Sequence, residues 1–412
     1  MAATKADAGP ATTRDRPRIV KIAAVCAALV LILLLRRPEM FFHPEFWAED
    51  GRIFFVQADT EGARALVTPY SGYHHFLLRL IAAASAGLNA RWIPFAYIGA
   101  NLTTIILIAI ALFSPRLDLP HAAACALAIG LLPHTGEVVG NLTNLQWLSA
   151  IGLVWILIAD EPATTRQVIT DSLLAAVIGL TGIFSVLFAP LFAVRAWRRK
   201  TRPSILVASI VVFTAAIQIW TLTQSPEDSQ MGFPPLGAIA FFVGFRLPAS
   251  LFLPMEYAKR LPGEVLQWLG VVSVGLLIAA AAWKGKRQNT RSLVVAAILG
   301  LMAATILRSY DHFAAFGSLA DGDRYLFLPK LLTVWLLISG CGSRTVTGWA
   351  TSAACGLALI TTLVDWHYER LADHHWPEYA RRIEAGESLR YIPVNPHGYT
   401  FDHPGRNRKS TP

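Results

Sequence analysis

Three short stretches carry the residues whose types and spacing could do chemistry. In "HPEFWAEDGRIFF" (His43 to Phe55), Glu49 and Asp50 stand side by side among Trp47, Phe54 and Phe55, just after the first strongly apolar run. A carboxylate beside a low-dielectric surface has its pKa pulled upward, toward the range in which it accepts a proton from a hydroxyl. The pair therefore reads as a general base. Its hard oxygens would also suit a divalent cation, Mg or Mn, held by Glu49 and Asp50. The plainer alternative is an acid pair solvated at a helix N-terminus and stabilised by the helix dipole. In "DGDRYLFLP" (Asp321 to Pro329), Arg324 stands where a loop meets an apolar run. It is placed either to snorkel to headgroups or to clamp a lipid phosphate bidentately, with Tyr325 as a further donor. "GNLTNLQWLSA" (Gly140 to Ala150) offers Asn144, Gln146 and Trp147. Amides and an indole suit sugar hydroxyls and stacking on a sugar face, and equally an aromatic belt. Tyr73 and His74 of "YSGYHH" complete the candidate set. The histidines His43, His74, His75, His312, His374 and His375 match no metal-site spacing and read as exposed interfacial side chains.

The elements that must position these residues follow from composition. The 412 residues are 54% hydrophobic and 15% charged, against about a quarter charged in soluble domains. Long apolar runs recur from Ile19 to Leu363, which makes the chain an all-α polytopic membrane protein. The runs are continuous, not alternating, so a membrane barrel is excluded. The net charge of +9 gathers in short loops such as "RAWRRKTR" (Arg195 to Arg202) and "KGKRQNTR" (Lys284 to Arg291), a mark of cytoplasmic loops and not of nucleic-acid binding. The four cysteines lie in or beside apolar runs without C-x-x-C spacing and read as buried free thiols. No phosphate-binding glycine loop or G-x-S-x-G elbow is present.

The first run, Ile19 to Leu35, follows Arg14, Arg16 and Arg18 and has no cleavage site, so it reads as an uncleaved signal anchor after a cytoplasmic tail at 1–18. Loop charge predicts about 11 transmembrane helices within 19–365, with the N-terminus inside and the C-terminus outside. A first external loop at 37–92 would carry interfacial helices over "DGRIFFVQADTEGARALV" and "FLLRLIAAASAGL", with the aromatics as interface anchors. The run Ile169–Trp197, broken at "GLTG" and Pro190, predicts a hairpin of two short helices. Ala238–Leu253, with Arg246 and Pro248, reads as a re-entrant or surface segment. The outer face would collect the acid pair, "HTGEVVGNLTNLQW", "GLTG", "TQSPEDSQMGFPPLG", "RSYDHFAAFGSLADGDRY" and an extracytoplasmic tail at 366–412.

An acidic pair directly after the first span, followed by a surface helix, resembles the GT-C class of membrane glycosyltransferases. "WAEDGRIFF" looks like the Asp/Glu motif of that class's first external loop. "GLTG…P" (Gly179 to Pro190) is similar to its short hairpin, often of T-K-G-P type, with Gly182 and Ile183 standing here where lysine and glycine would be. "DRYLFLP" is similar to a late R-Y…P stretch that approaches the lipid phosphate, and "IPVNPHGYTF" (Ile392 to Phe401) to the end of a bacterial subgroup of GT-C-like proteins. The resemblance implies a polyprenyl-phosphate sugar donor, a base at Asp50 or Glu49, and Arg324 as phosphate partner. The acceptor would be a lipid, glycan or protein on the extracytoplasmic face of a bacterial inner (plasma) membrane. A transporter or lipid flippase is the rival from another class; it would need charges inside the spans or paired broken helices.

Overall fold

A computed structural model describes residues 16–134, 136–224, 232–285, 287–308 and 322–406. The chain is a bundle of α-helices with one two-stranded sheet, the architecture of an all-α, multi-pass membrane protein. Apolar runs become helices because a helix satisfies its own backbone polar groups, which lipid cannot do. Side-chain caps set several starts: Thr164, Thr201 and Thr345 each accept a hydrogen bond from a backbone N–H two or three residues on.

Among the described residues, six helices are long and apolar enough to cross a membrane: Arg16–Arg36, Ala90–Ala111, Arg202–Thr223, Gly263–Ala282, Gln288–Arg308 and Val346–Val364. The five other runs expected to span also form helices, but shorter ones. Ala122–Leu131 has 10 residues, about 15 Å, half the thickness of a hydrocarbon core. Leu145–Ile158 is the central helix, buried at every position except Gly152 and Trp155, as a helix that is apolar all round requires. Thr165–Gly179 and Phe184–Arg199 form the expected pair of short helices, joined across "LTGI".

Two expectations change. Leu236–Phe252 is not a surface segment: Phe242 through Leu251 are buried, and it packs along Gly263–Ala282. The approach is so close that a Cβ on Gly244 would lie 1.7 Å from the carbonyl oxygen of Leu266, and one on Gly270 2.0 Å from that of Ala240. Small residues at a membrane helix interface permit this contact. The second change concerns the external layer. Residues 50–67 are helical, as expected, but Ile53, Phe54, Phe55 and Ala58 face protein and not lipid.

What covers them is the C-terminal segment. Helix Trp376–Glu384 and the antiparallel strands Leu389–Val394 and Tyr399–His403 fold onto residues 46–59. Asn395 exchanges backbone hydrogen bonds with Phe46 and Ala48. Phe46 sits 4.6 Å from Trp376 and 5.9 Å from Phe401, ring centre to ring centre. Gly51 lacks a side chain where the Phe401 ring lies; a Cβ there would be 2.6 Å from it. The aromatics around the acid pair are therefore the core of this layer and not headgroup anchors. Arg406 clasps Asp59 through two nitrogens and also bonds Glu384, with Arg406 and Asp59 side chains only 6% and 8% exposed.

Candidate functional site

Asp50 and Glu49 point to different places. The Asp50 carboxylate is 1% exposed and accepts hydrogen bonds from Thr143 N at 2.7 Å, Thr143 Oγ1 at 2.6 Å, Leu142 N at 3.2 Å and Trp47 N at 3.4 Å. Burial pushes its carboxyl up to about 7, against the pull of those donors. It ties the segment after the first helix to the 140–143 turn. That turn is braced from below by Asn101, whose side chain donates to Val138 O and Asn141 O and accepts from Gly140 N. Arg37, at the end of the first helix, donates to Gly136 O and Val139 O. One loop, 136–144, is thus held from three sides.

Glu49 lines a cavity of about 500 Å³ between the external layer and the helix ends. Its Oε1 accepts from the Tyr70 hydroxyl at 3.1 Å. Burial and the nearby Glu49 charge push the Tyr70 phenol up to about 12, so it remains a donor. On the other side, Arg324 begins helix Arg324–Gly340. Its guanidinium pairs with Glu137, whose second oxygen accepts from the Arg324 backbone N–H at 2.9 Å. The guanidinium also lies 4.8 Å from the Tyr325 ring centre. Trp147 stands edge-on to Tyr325 at 5.1 Å and to Phe184 at 4.9 Å.

The GLTG turn reaches the site through backbone pairing. Phe76 N donates to Leu180 O, and Gly182 N to His74 O. Gln218 fastens both strands, accepting from His74 N and donating to His74 O and Gly182 O. Gly182 has φ +78° and leaves room for Gln146 Oε1, which would lie 2.4 Å from a Cβ. His75 is buried, and burial holds its imidazole down to about 3, so it is a neutral hydrogen-bonding group here.

Of the residues singled out in the sequence, Glu49, Tyr73, Asn144, Gln146, Trp147, Arg324 and Tyr325 line this one cavity. Asp50 lies behind its wall, and His74 contributes its backbone to the turn pairing, not its ring to the lining. Tyr70, Glu137, Glu369, His397 and Tyr399 are lining residues that sequence reasoning missed. Glu137 had a signal, a lone acid in an uncharged stretch between two apolar runs. His397 and Tyr399 stand in the quoted "IPVNPHGYTF", but nothing local assigned them to the site, because they reach the cavity only through the folded tail. Among the described residues no group of three or more His, Cys, Asp or Glu is placed to hold a metal ion. Residues 225–231 and 309–321, which include His312, most of one expected outer loop and about half of another, lie outside the described residues.

Comparison of the chain with protein-family models, with curated proteins and with solved structures finds no match. The chemistry therefore rests on the cavity itself: a half-buried carboxylate, a guanidinium, amides and aromatic rings around one enclosed space. Such a set can take a proton, hold an anionic group and stack on a sugar ring.

Proposed function

We propose that the protein is an integral membrane glycosyltransferase that moves a sugar from a polyprenyl-phosphate donor to an envelope acceptor. The observation that carries this reading is the presence of Glu49 and Arg324 in one cavity at the end of the bundle. Arg324 bonds the phosphate that links sugar to lipid. Its guanidinium has five N–H donors and the Glu137 pair uses only some of them. Trp147 and Tyr325 flank the sugar ring, and Asn144 and Gln146 address its hydroxyls. Glu49 accepts the proton of the acceptor hydroxyl as the oxygen attacks the anomeric carbon. The bond to phosphate breaks, its electron pair leaves with the lipid phosphate, and the anomeric configuration inverts. Asp50 acts as a positioning residue by fixing the 142–143 turn. The active face is extracytoplasmic in this reading, and the membrane a bacterial inner membrane.

The test is transfer from a radiolabelled polyprenyl-phosphate sugar in membranes containing the wild type or Glu49→Gln. Loss of transfer with retained expression and folding supports the assignment, and full activity of Glu49→Gln removes it. Mass spectrometry of envelope glycans with and without the protein identifies the acceptor.

A second reading, a flippase or transporter, draws on the buried ion pair Lys330–Asp323 at 2.7 Å. It borders a neighbouring space of about 400 Å³ that shares Glu369 with the first cavity. Charges in such a position line transport pathways. Movement of a labelled lipid-linked sugar across proteoliposomes, without transfer, would favour it.

A further inference from the structure

Helix Arg324–Gly340 starts at the cavity just described and ends, about 25 Å further along its axis, at a different one. This second space, of about 240 Å³, is bounded by Trp283, Arg287, Arg291, Trp335, Ser339 and Thr351. Arg287 pairs with Asp118 at 2.7 Å, but both side chains are substantially exposed. Arg291 donates to the carbonyl oxygen of Trp283. In both guanidiniums the Nε is buried without a hydrogen-bond partner. A buried N–H without an acceptor is unfavourable, and two arginines one helical turn apart on this wall favour an oxygen-rich anion. The guanidinium fork matches phosphate oxygens.

The remaining wall is mainly apolar, with the Asp118 carboxylate that pairs with Arg287 and the hydroxyls of Thr290, Ser339, Thr347 and Thr351 at its edges. Ala280 lines the space, and Leu276, one turn away on the same helix face, is 66% exposed. Trp283 and Trp349, at the adjoining helix ends, are exposed as well. A free anion would use the arginines and leave this wall uncovered, whereas a lipid would use both. We infer that this groove binds an anionic phosphodiester lipid of the surrounding membrane. Its phosphate sits between Arg287 and Arg291 and its acyl chains lie along helix Gly263–Ala282. The site is at the end of the bundle opposite the candidate reaction cavity, so it does not depend on the proposed transfer reaction.

The test uses the purified full chain in detergent, with phosphatidylglycerol and phosphatidylcholine as probes, read by native mass spectrometry and by the thermal midpoint. Two surface arginines set the scale of the preference for phosphatidylglycerol at roughly 10- to 30-fold. Arg287→Gln with Arg291→Gln should reduce it to about twofold or less. Ser339→Phe, which fills the groove and keeps both arginines, should do the same, and it decides the matter if the double variant does not fold. Arg198→Gln with Lys200→Gln removes two cations elsewhere and should leave the preference intact. The proposal is overturned if the groove variants retain the preference, if the distant pair abolishes it equally, or if inorganic phosphate raises the midpoint as much as the lipid does.

Discussion

Two parts of the molecule are assembled by opposite means. The tail and the segment at 43–59, far apart in sequence, are joined by aromatic rings, backbone pairing and the Asp59–Arg406–Glu384 clasp. Helices Leu236–Phe252 and Gly263–Ala282 are joined by near-contact of their backbones at Gly244 and Gly270. In lipid, apolar side chains gain little by leaving one apolar phase for another, so close packing of small residues does the work. In the external layer, water is the alternative solvent. Apolar burial is favourable there, and every polar group taken inside must find a partner. The candidate site lies against the assembly of tail and loop, where charge can be held at partial burial.

Four substitutions test that contrast. The largest effect is expected of Gly244→Val, which forces side-chain atoms into the Leu266 carbonyl. We expect loss of monodisperse folded protein, and a variant that purifies normally would break the account of the helix pair. Next comes Arg406→Ala, which leaves Asp59 buried beside His403 alone. Burial raises the Asp59 carboxyl, but His403 and Arg406 outweigh it and hold it below its usual range. Removing the buried partner should cost about 3–5 kcal/mol. Limited proteolysis should cut the tail first while the bundle stays intact. Joint unfolding of tail and bundle would mean that the two assemblies are not separable.

Third, Glu49→Gln should lower transfer at least ~100-fold, about 2.7 kcal/mol in activation free energy, and leave the thermal midpoint within a degree or two. The smallest effect is a change of slope, expected of Asp50→Asn. The folded Asp50 carboxyl sits near 7, above the 3.8 of an unperturbed aspartate. Its proton therefore stabilises the fold fully below ~3.8, and that contribution is lost as pH rises to about 7. Wild-type stability should fall across this interval more steeply than that of Asp50→Asn, measured by tryptophan fluorescence at a series of pH values. Burial also raises Glu45 to about 7, and it stays in both proteins, so the difference isolates Asp50. Equal slopes would show that the carboxylate is already ionised in the folded protein.

Much of the bundle was legible because its signals are local. An apolar run long enough to span or a Gly-Leu-Thr-Gly break acts within a few residues. The candidate site was legible as a set of residue types: seven of the residues picked out in the sequence meet in one cavity. For Ala238–Leu253, read as re-entrant or surface, only the surface alternative falls, because Arg246 and Pro248 argue locally against the burial that Phe242 to Leu251 show. The compensating feature, glycine on a partner helix about 26 residues away, is not local.

The sequence by itself determined a helical membrane chain with its acids, arginine and amides gathered outside the apolar runs. Only the tertiary structure decided the surroundings of each member of the acid pair. Neighbouring residues on a helical turn project in different directions, so the two acids can meet different partners. The 142–143 turn, more than 90 positions further on, claims Asp50 and leaves Glu49 to the cavity. The tail's place in the cavity wall was decided in the same way. A contact between residues 46–59 and 376–406 is set by packing and charge pairing across the whole length of the chain, and no local pattern encodes it.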